Sequence, residues 1–196
     1  MADSTTKNQF GFSMPEFMVV LWLVGIMAAI TASSFDITGW LSFYRLKGSA
    51  KDLLIDLQKA RMNAITEDRA WAIVFDTGQG SYRFQAKNAA GNWVNEGDPI
   101  HLAKGVVYGH GSATFDATAG KSPFPSNNAS DAVTFALSDP SNPSAPRRVA
   151  FDSRGLPSSM GGGYCYLANS RGAAFAVGIN AAGVIKMRRW DGNDWQ

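Results

Sequence analysis

Hydrophobic and polar positions change register twice along this chain. From Phe17 to Phe35 no residue carries a charge, and from Phe17 to Ile30 nothing is more polar than Gly25. Nineteen residues rise about 28 Å as an α-helix, close to the ~30 Å hydrocarbon core of a bilayer. The pattern predicts one spanning helix whose far end, at Thr31, Ala32, Ser33 and Ser34, reaches an interface. Hydroxyls there can return to the helix backbone. Residues 36–66 then turn amphipathic. Leu53, Leu54, Leu57, Ala60, Ala64 and Ile65 recur at three- and four-residue spacing, with Lys51, Asp52, Asp56, Lys59 and Arg61 mostly between them. Gly39 and Gly48 each cost a helix interior about 1 kcal/mol against alanine, so a bend or melted turn is expected near them. Helix throughout from Phe12 to Thr66 would span about 80 Å. The leucine stripe is expected to pack on the protein's own head.

Beyond Asp68 the period falls to two. Trp71–Asp76 and Ser81–Lys87 read as a hairpin around Thr77-Gly78-Gln79-Gly80. Asn88–Asn92 is a turn, with Trp93 and Val94 continuing, and one or two short strands fall between His101 and Val107. Gly109–Asp131 has no period and reads as a long loop. Ala132–Leu137 and Arg148–Asp152 are predicted strands flanking a proline-rich excursion. Tyr164–Ala168, Ala173–Ile179 and Val184–Trp190 close an antiparallel meander, its last turn at Asn180-Ala181-Ala182-Gly183. The fold class is therefore α+β: a long N-terminal helix followed by an antiparallel, β-rich head of two sheets.

Glu16 stands at the mouth of the apolar run. An ionised carboxylate in hydrocarbon costs on the order of 3 kcal/mol, so it requires a cation, a headgroup-level position or neutralisation. The positive end of the helix dipole lies beside it. Pro15 fits a helix that starts at Phe12, since the first four amides have no intrahelical partner. Two other readings fit part of this pattern: a secretory signal cut near Ile30-Thr31-Ala32, and a plain membrane anchor. Lys7 precedes the run whereas Arg45, Lys47 and Lys51 follow it, a charge asymmetry that favours the opposite orientation from the one adopted below.

The globular remainder, roughly 125 residues, is a normal size for one domain. A formal net charge of +2 does not by itself call for a nucleic-acid partner. Cys165 is the one cysteine, which excludes an intrachain disulfide and a multi-cysteine metal site. Its place between Tyr164 and Tyr166 is that of a buried small hydrophobe.

Gly11-Phe12-Ser13-Met14-Pro15-Glu16, opening the apolar run, resembles the class III leader of type IV pilins and type II secretion pseudopilins. Pro15 departs from the aliphatic residue common there. The resemblance implies a prepilin peptidase cutting between Gly11 and Phe12, N-methylation of Phe12, and Glu16 as the fifth mature residue, paired with a neighbouring subunit's N-terminus in a filament. A second stretch, Val149-Ala150-Phe151-Asp152-Ser153-Arg154-Gly155-Leu156-Pro157 followed by Ala176–Lys186, resembles the F-x-x-x-G turn and closing G-x-[IV] hairpin of the GspH/FimT family of minor pseudopilins. Membership would divide the chain into a leader (1–11), a transmembrane and assembly helix (12–35), an amphipathic helix entering the head (36–68) and a periplasmic β-rich head (69–196). It implies a single-pass inner-membrane subunit whose partners are other pilins, the peptidase and membrane lipid.

Enzyme motifs are missing: the sequence has no H-E-x-x-H, P-loop, G-x-G-x-x-G, nucleophile elbow or cysteine pair. His101 and His110 have no nucleophile pattern nearby, and no D-x-D-x-D-G loop supports calcium. The reading is of a non-enzymatic protein with no cofactor. One charged cluster stands out, Lys186-Met187-Arg188-Arg189-Trp190. On a strand, Lys186, Arg188 and Trp190 share one face and Ile185, Met187 and Arg189 the other. Two cations ending in an aromatic could hold a phosphate backbone and stack a base. Some FimT-type pilins bind DNA through C-terminal basic residues, so the resemblance admits DNA as an alternative partner. The bland reading is a solvated strand face whose arginines pair within the protein or with another subunit.

Overall fold

The uncharged run forms one uninterrupted helix, α1 (Met14–Ser34), in the computed structural model, which describes residues 13–34, 37–113, 131–142, 144–158, 162–180 and 182–196. The Ser13 carbonyl accepts from the amides of Glu16 (3.0 Å) and Phe17 (3.2 Å), so the helix is capped at Ser13. Pro15 falls in the first turn, where its missing donor costs nothing. Phe12, the expected start, lies outside the described residues. At the other end the Thr31 hydroxyl donates to the carbonyls of Met27 (2.7 Å) and Ala28 (3.1 Å), the return to backbone expected of a hydroxyl in an apolar helix. Among the described residues this is the one helix long and apolar enough to cross a membrane, and none of its Met14–Thr31 window is buried.

The chain divides into two compact units, Met1–Thr38 and Gly39–Gln196. The second unit is organised by α2 (Ile37–Thr66). Leu46, Ala50, Leu53, Leu57, Ala60 and Ala64 are all fully buried, at spacings of four and three residues that draw a single stripe. The leucine stripe does pack on the head, as expected, and extends about two turns further toward the N-terminus. No melted turn interrupts α2 at Gly39 or Gly48, since the helix runs through both glycines. Burial of the stripe outweighs their propensity cost of about 1 kcal/mol each.

Among the described residues eight strands make two antiparallel sheets. The first has the order β3-β2-β1-β5, with β1 at Trp71–Asp76, β2 at Ser81–Lys87, β3 at Trp93–His101 and β5 at Arg147–Phe151. The second has the order β4-β6-β7-β8, with β4 at Val106–Tyr108, β6 at Gly163–Asn169, β7 at Ala174–Ile179 and β8 at Ile185–Arg189. The α2 stripe, Ile73 and Phe75 of β1, Val149 and Phe151 of β5, and Leu167, Val177 and Ile179 of β6 and β7 belong to one core. A smaller cluster covers the other face of the second sheet, where Tyr164, Tyr166, Ala168, Ala174 and Ala176 lie under Trp195. Both faces of β6 and β7 are thus buried.

Two expectations are corrected. Trp93 and Val94 do not stop at a short strand: β3 continues to His101 through Gly97 and Pro99. It is an edge strand, where a proline removes no ladder bond, and its register against β2 shifts between Tyr82 and Phe84. In the stretch predicted for one or two further strands, β4 alone follows. Ala132–Leu137 is not a strand. It crosses between the sheets, bridging Val133 to Cys165 in the second and Leu137 to Arg147 in the first. Its alternating pattern reflects Val133 and Phe135 entering the core, with Phe135 stacked 5.4 Å from Phe75. Of the predicted loop at Gly109–Asp131, residues 114–130 lie outside the described residues.

Candidate functional site

Glu16 is the one charged residue in α1, and it is exposed in the first turn. Its backbone amide closes on the Ser13 carbonyl at 3.0 Å, so it occupies the third helical position after the cap. A carboxylate there is favoured by the helix dipole. Ser13-x-x-Glu16 also has the spacing of a capping box. Among the described residues Glu16 makes no ion pair. Gly11 and Phe12, the expected cleavage and methylation residues, lie outside the described residues.

In the head, the two family-like turns meet beneath α2. Phe151 is fully buried at the end of β5. Asp152 then builds the turn: one carboxylate oxygen accepts from the amides of Arg154 (3.0 Å) and Leu156 (2.9 Å), and the other from the Arg154 guanidinium (2.8 Å). The Leu156 amide and then the Arg154 guanidinium hold the Asp152 carboxyl below the usual range. Gly155 has a φ of 74° and sits so close to α2 that a Cβ would lie 2.7 Å from the Ile65 Cδ1 and 3.2 Å from the Arg61 Cγ. A side chain there would be strained by the backbone conformation and would require the Ile65 side chain to shift. The closing turn is built likewise, the Asn180 side chain accepting from the Val184 amide at 2.8 Å. Arg61 joins the two turns by donating from Nη1 to the Gly183 carbonyl at 3.0 Å. Spacing along the chain gives no sign of that contact.

The basic strand is only partly free. Lys186 and Arg189 are exposed, whereas Arg188 and Trp190 are half-buried. Arg188 donates to the Trp195 carbonyl at 3.4 Å, and the Trp190 ring lies 5.5 Å from that of Trp195. Trp195 in turn packs 5.6 Å from Tyr166. Alternation does put Lys186, Arg188 and Trp190 on the outer face of the second sheet, but the chain's C-terminal segment occupies the Arg188 and Trp190 end. Ile185 and Met187 pack against the main core. Trp195, which organises this corner, went unnoticed in the sequence because it lies in no periodic segment. Arg147 and Arg148 belong to the other sheet. Arg147 pairs with Asp131 at 2.7 Å, and Arg148 lies 4.5 Å from the Trp93 ring.

His110 lies 4.5 Å from the Tyr166 ring, and burial lowers its pKa. His101 is exposed at the end of β3. Cys165 is fully buried, which pushes its thiol up and away from reactivity. Among the described residues no three His, Cys, Asp or Glu side chains gather where they could hold a metal ion.

The profile of the family of type II transport protein GspH matches residues 49–183. The match takes in most of the α2 stripe, both turns and Arg61. Among solved structures, the minor pseudopilin EpsH from the type 2 secretion system of Vibrio cholerae is similar over 73% of this chain and 95% of its own, at 13% identity and a TM-score of 0.48. The type IV minor pilin FimU of Pseudomonas aeruginosa is similar over 80% of this chain and 96% of its own, at 13% identity and a TM-score of 0.49. No curated protein matches.

Proposed function

This chain belongs to the GspH family of type II transport proteins, and on that premise we propose that it is a non-enzymatic minor pseudopilin. It is held in the inner membrane by α1, with its head in the periplasm, until it enters a type II secretion pseudopilus or a type IV pilus. The observation that carries this reading is α1 itself. Its Met14–Thr31 window has no buried share, while among the described residues the buried core begins at Leu46. A helix of side chains like Trp22, 76% exposed, needs a lipid or protein environment outside its own chain. Assembly exchanges lipid contacts for helix–helix packing, which costs little because lipid tails are as apolar as the side chains.

Glu16 supplies direction to that exchange. In hydrocarbon its carboxylate costs about 3 kcal/mol unless paired. Cleavage between Gly11 and Phe12 by a prepilin peptidase creates a cation, the Phe12 amine, which N-methylation leaves charged. Pairing Glu16 with that amine on a neighbouring subunit offsets the cost and sets the axial step between subunits. The test is Glu16→Ala in cells that assemble the filament. The variant is expected to remain in the membrane fraction, with its leader removed, but to be lost from sheared filaments. Incorporation at the normal level would overturn the mechanism.

A further inference from the structure

The first four turns of α2 carry a surface that the head leaves largely uncovered. Trp40, Tyr44, Lys47 and Lys51 stand four, three and four residues apart, which aligns them on one face of the helix. That face lies roughly 120° round the helix from the buried stripe of Leu46, Ala50 and Leu53, and Lys47 at its edge is half-buried. Trp40 is 63% exposed and Tyr44 50% exposed, with their rings 4.6 Å apart. Arg45 flanks them and is exposed. Among the described residues none of Arg45, Lys47 and Lys51 makes an ion pair. Asp52 is the one acid between Ile37 and Asp52.

Two large exposed rings beside cations that form no ion pair make an amphipathic surface. They match the headgroup layer of a bilayer, where indole and phenol rings settle with one wet edge and cations meet lipid phosphates. Trp40 stands six positions after the last residue of α1, a chain separation that suits the layer adjoining the ~30 Å hydrocarbon core. We propose that Trp40, Tyr44, Arg45, Lys47 and Lys51 form an interfacial anchor for anionic lipid on the head side of the membrane. This rests on the reading that α1 spans the bilayer. It also gives the three cations after the span a purpose, although their position runs against positive-inside sorting. Before assembly the anchor holds the head at the membrane surface, and extraction into a filament must release it.

The test uses the full chain reconstituted into vesicles of phosphatidylcholine, with or without phosphatidylglycerol. A headgroup nitroxide lipid quenches from the membrane side and acrylamide from the water. Subtracting the emission of Trp40→Phe isolates Trp40. With phosphatidylglycerol present, Trp40 is expected to be quenched by the nitroxide and sheltered from acrylamide. Both effects should fall when that lipid is omitted, when salt is raised, or in the Arg45→Gln, Lys47→Gln, Lys51→Gln triple variant. Each cation near the surface contributes about fivefold in preference for anionic lipid. Trp40 open to acrylamide in every vesicle would overturn the proposal, as would quenching indifferent to the anionic lipid and the three cations. Shelter from both quenchers would overturn it in favour of a second copy covering the face. Extraction by alkaline carbonate separates the two readings: release of the chain would overturn the spanning helix and the anchor together, whereas retention with Trp40 in water overturns the anchor alone.

Discussion

α1 and α2 are both long helices, yet they obtain stability from opposite sources. In α2 the apolar residues are confined to a stripe, and Leu46, Leu53 and Leu57 on that stripe are completely buried by the chain's own sheets. In α1 the apolar residues go all the way round, and the window that could span a bilayer has no buried share. Apolar content therefore says less than its angular distribution. A stripe asks for one internal partner, and a full cylinder asks for a surrounding medium. The same contrast separates Glu16 from the head's carboxylates: Asp152 is satisfied by amides and Arg154 within its own turn, while Glu16 has no ion pair among the described residues.

The contrast can be broken most severely at Leu57. Leu57→Asp buries an unpaired charge in the core, a change expected to cost more than about 4 kcal/mol. The head should then fail to show a cooperative thermal transition; a normal transition would mean that the stripe is not the core contact described. Val24→Arg applies the matching insult to α1. It should raise the cost of membrane insertion by about 2.5–3.5 kcal/mol and leave the melting of the head unchanged. Membrane partition and calorimetry on the same variant check both halves, and a shifted melting point would show that α1 supports the head after all.

A smaller effect is expected where the two turns join. Arg61→Met keeps the aliphatic packing but leaves the Gly183 carbonyl without its donor, which should cost about 1–3 kcal/mol. For a domain of this size each kcal/mol lowers Tm by roughly 2–4 °C, so an unchanged melt would show that the bond contributes nothing. The smallest effect belongs to Lys186 and Arg189. Both are exposed, and alanine at the pair should alter stability by no more than about 0.5 kcal/mol. The pair also tests the rival reading. Duplex DNA retained by the chain in a salt-sensitive way, and released by this double variant, would favour a DNA-binding pilin.

Much of the fold could be read before the structure was known, and for a common reason. α1, the α2 stripe, the β1–β2 hairpin and the β6–β8 meander each repeat with a period belonging to a single element, so adjacent residues suffice to reveal them. Errors arose where a segment serves two partners. Val133 to Leu137 alternates like a strand but has one end on each sheet. Asn95–Ile100 contains Gly97 and Pro99, which argue against a strand in general and are harmless on an edge. Among the site residues, Glu16 was identifiable because a lone carboxylate beside an apolar run is costly in any fold. For the basic strand, adjacent residues could not reveal that Arg188 donates to the Trp195 carbonyl and that the Trp190 ring packs beside that of Trp195.

By itself the sequence determined that the chain has an uncharged helix with one acid at its mouth, an amphipathic helix and a β-rich head, because charge and period are local properties. The tertiary structure alone decided which distant residues meet. Arg61 reaches Gly183 across 122 positions, Gly155 is pressed under Ile65, and Trp40 and Tyr44 are left on the outside of α2. Burial belongs to the packed whole, and no window of neighbouring residues contains it.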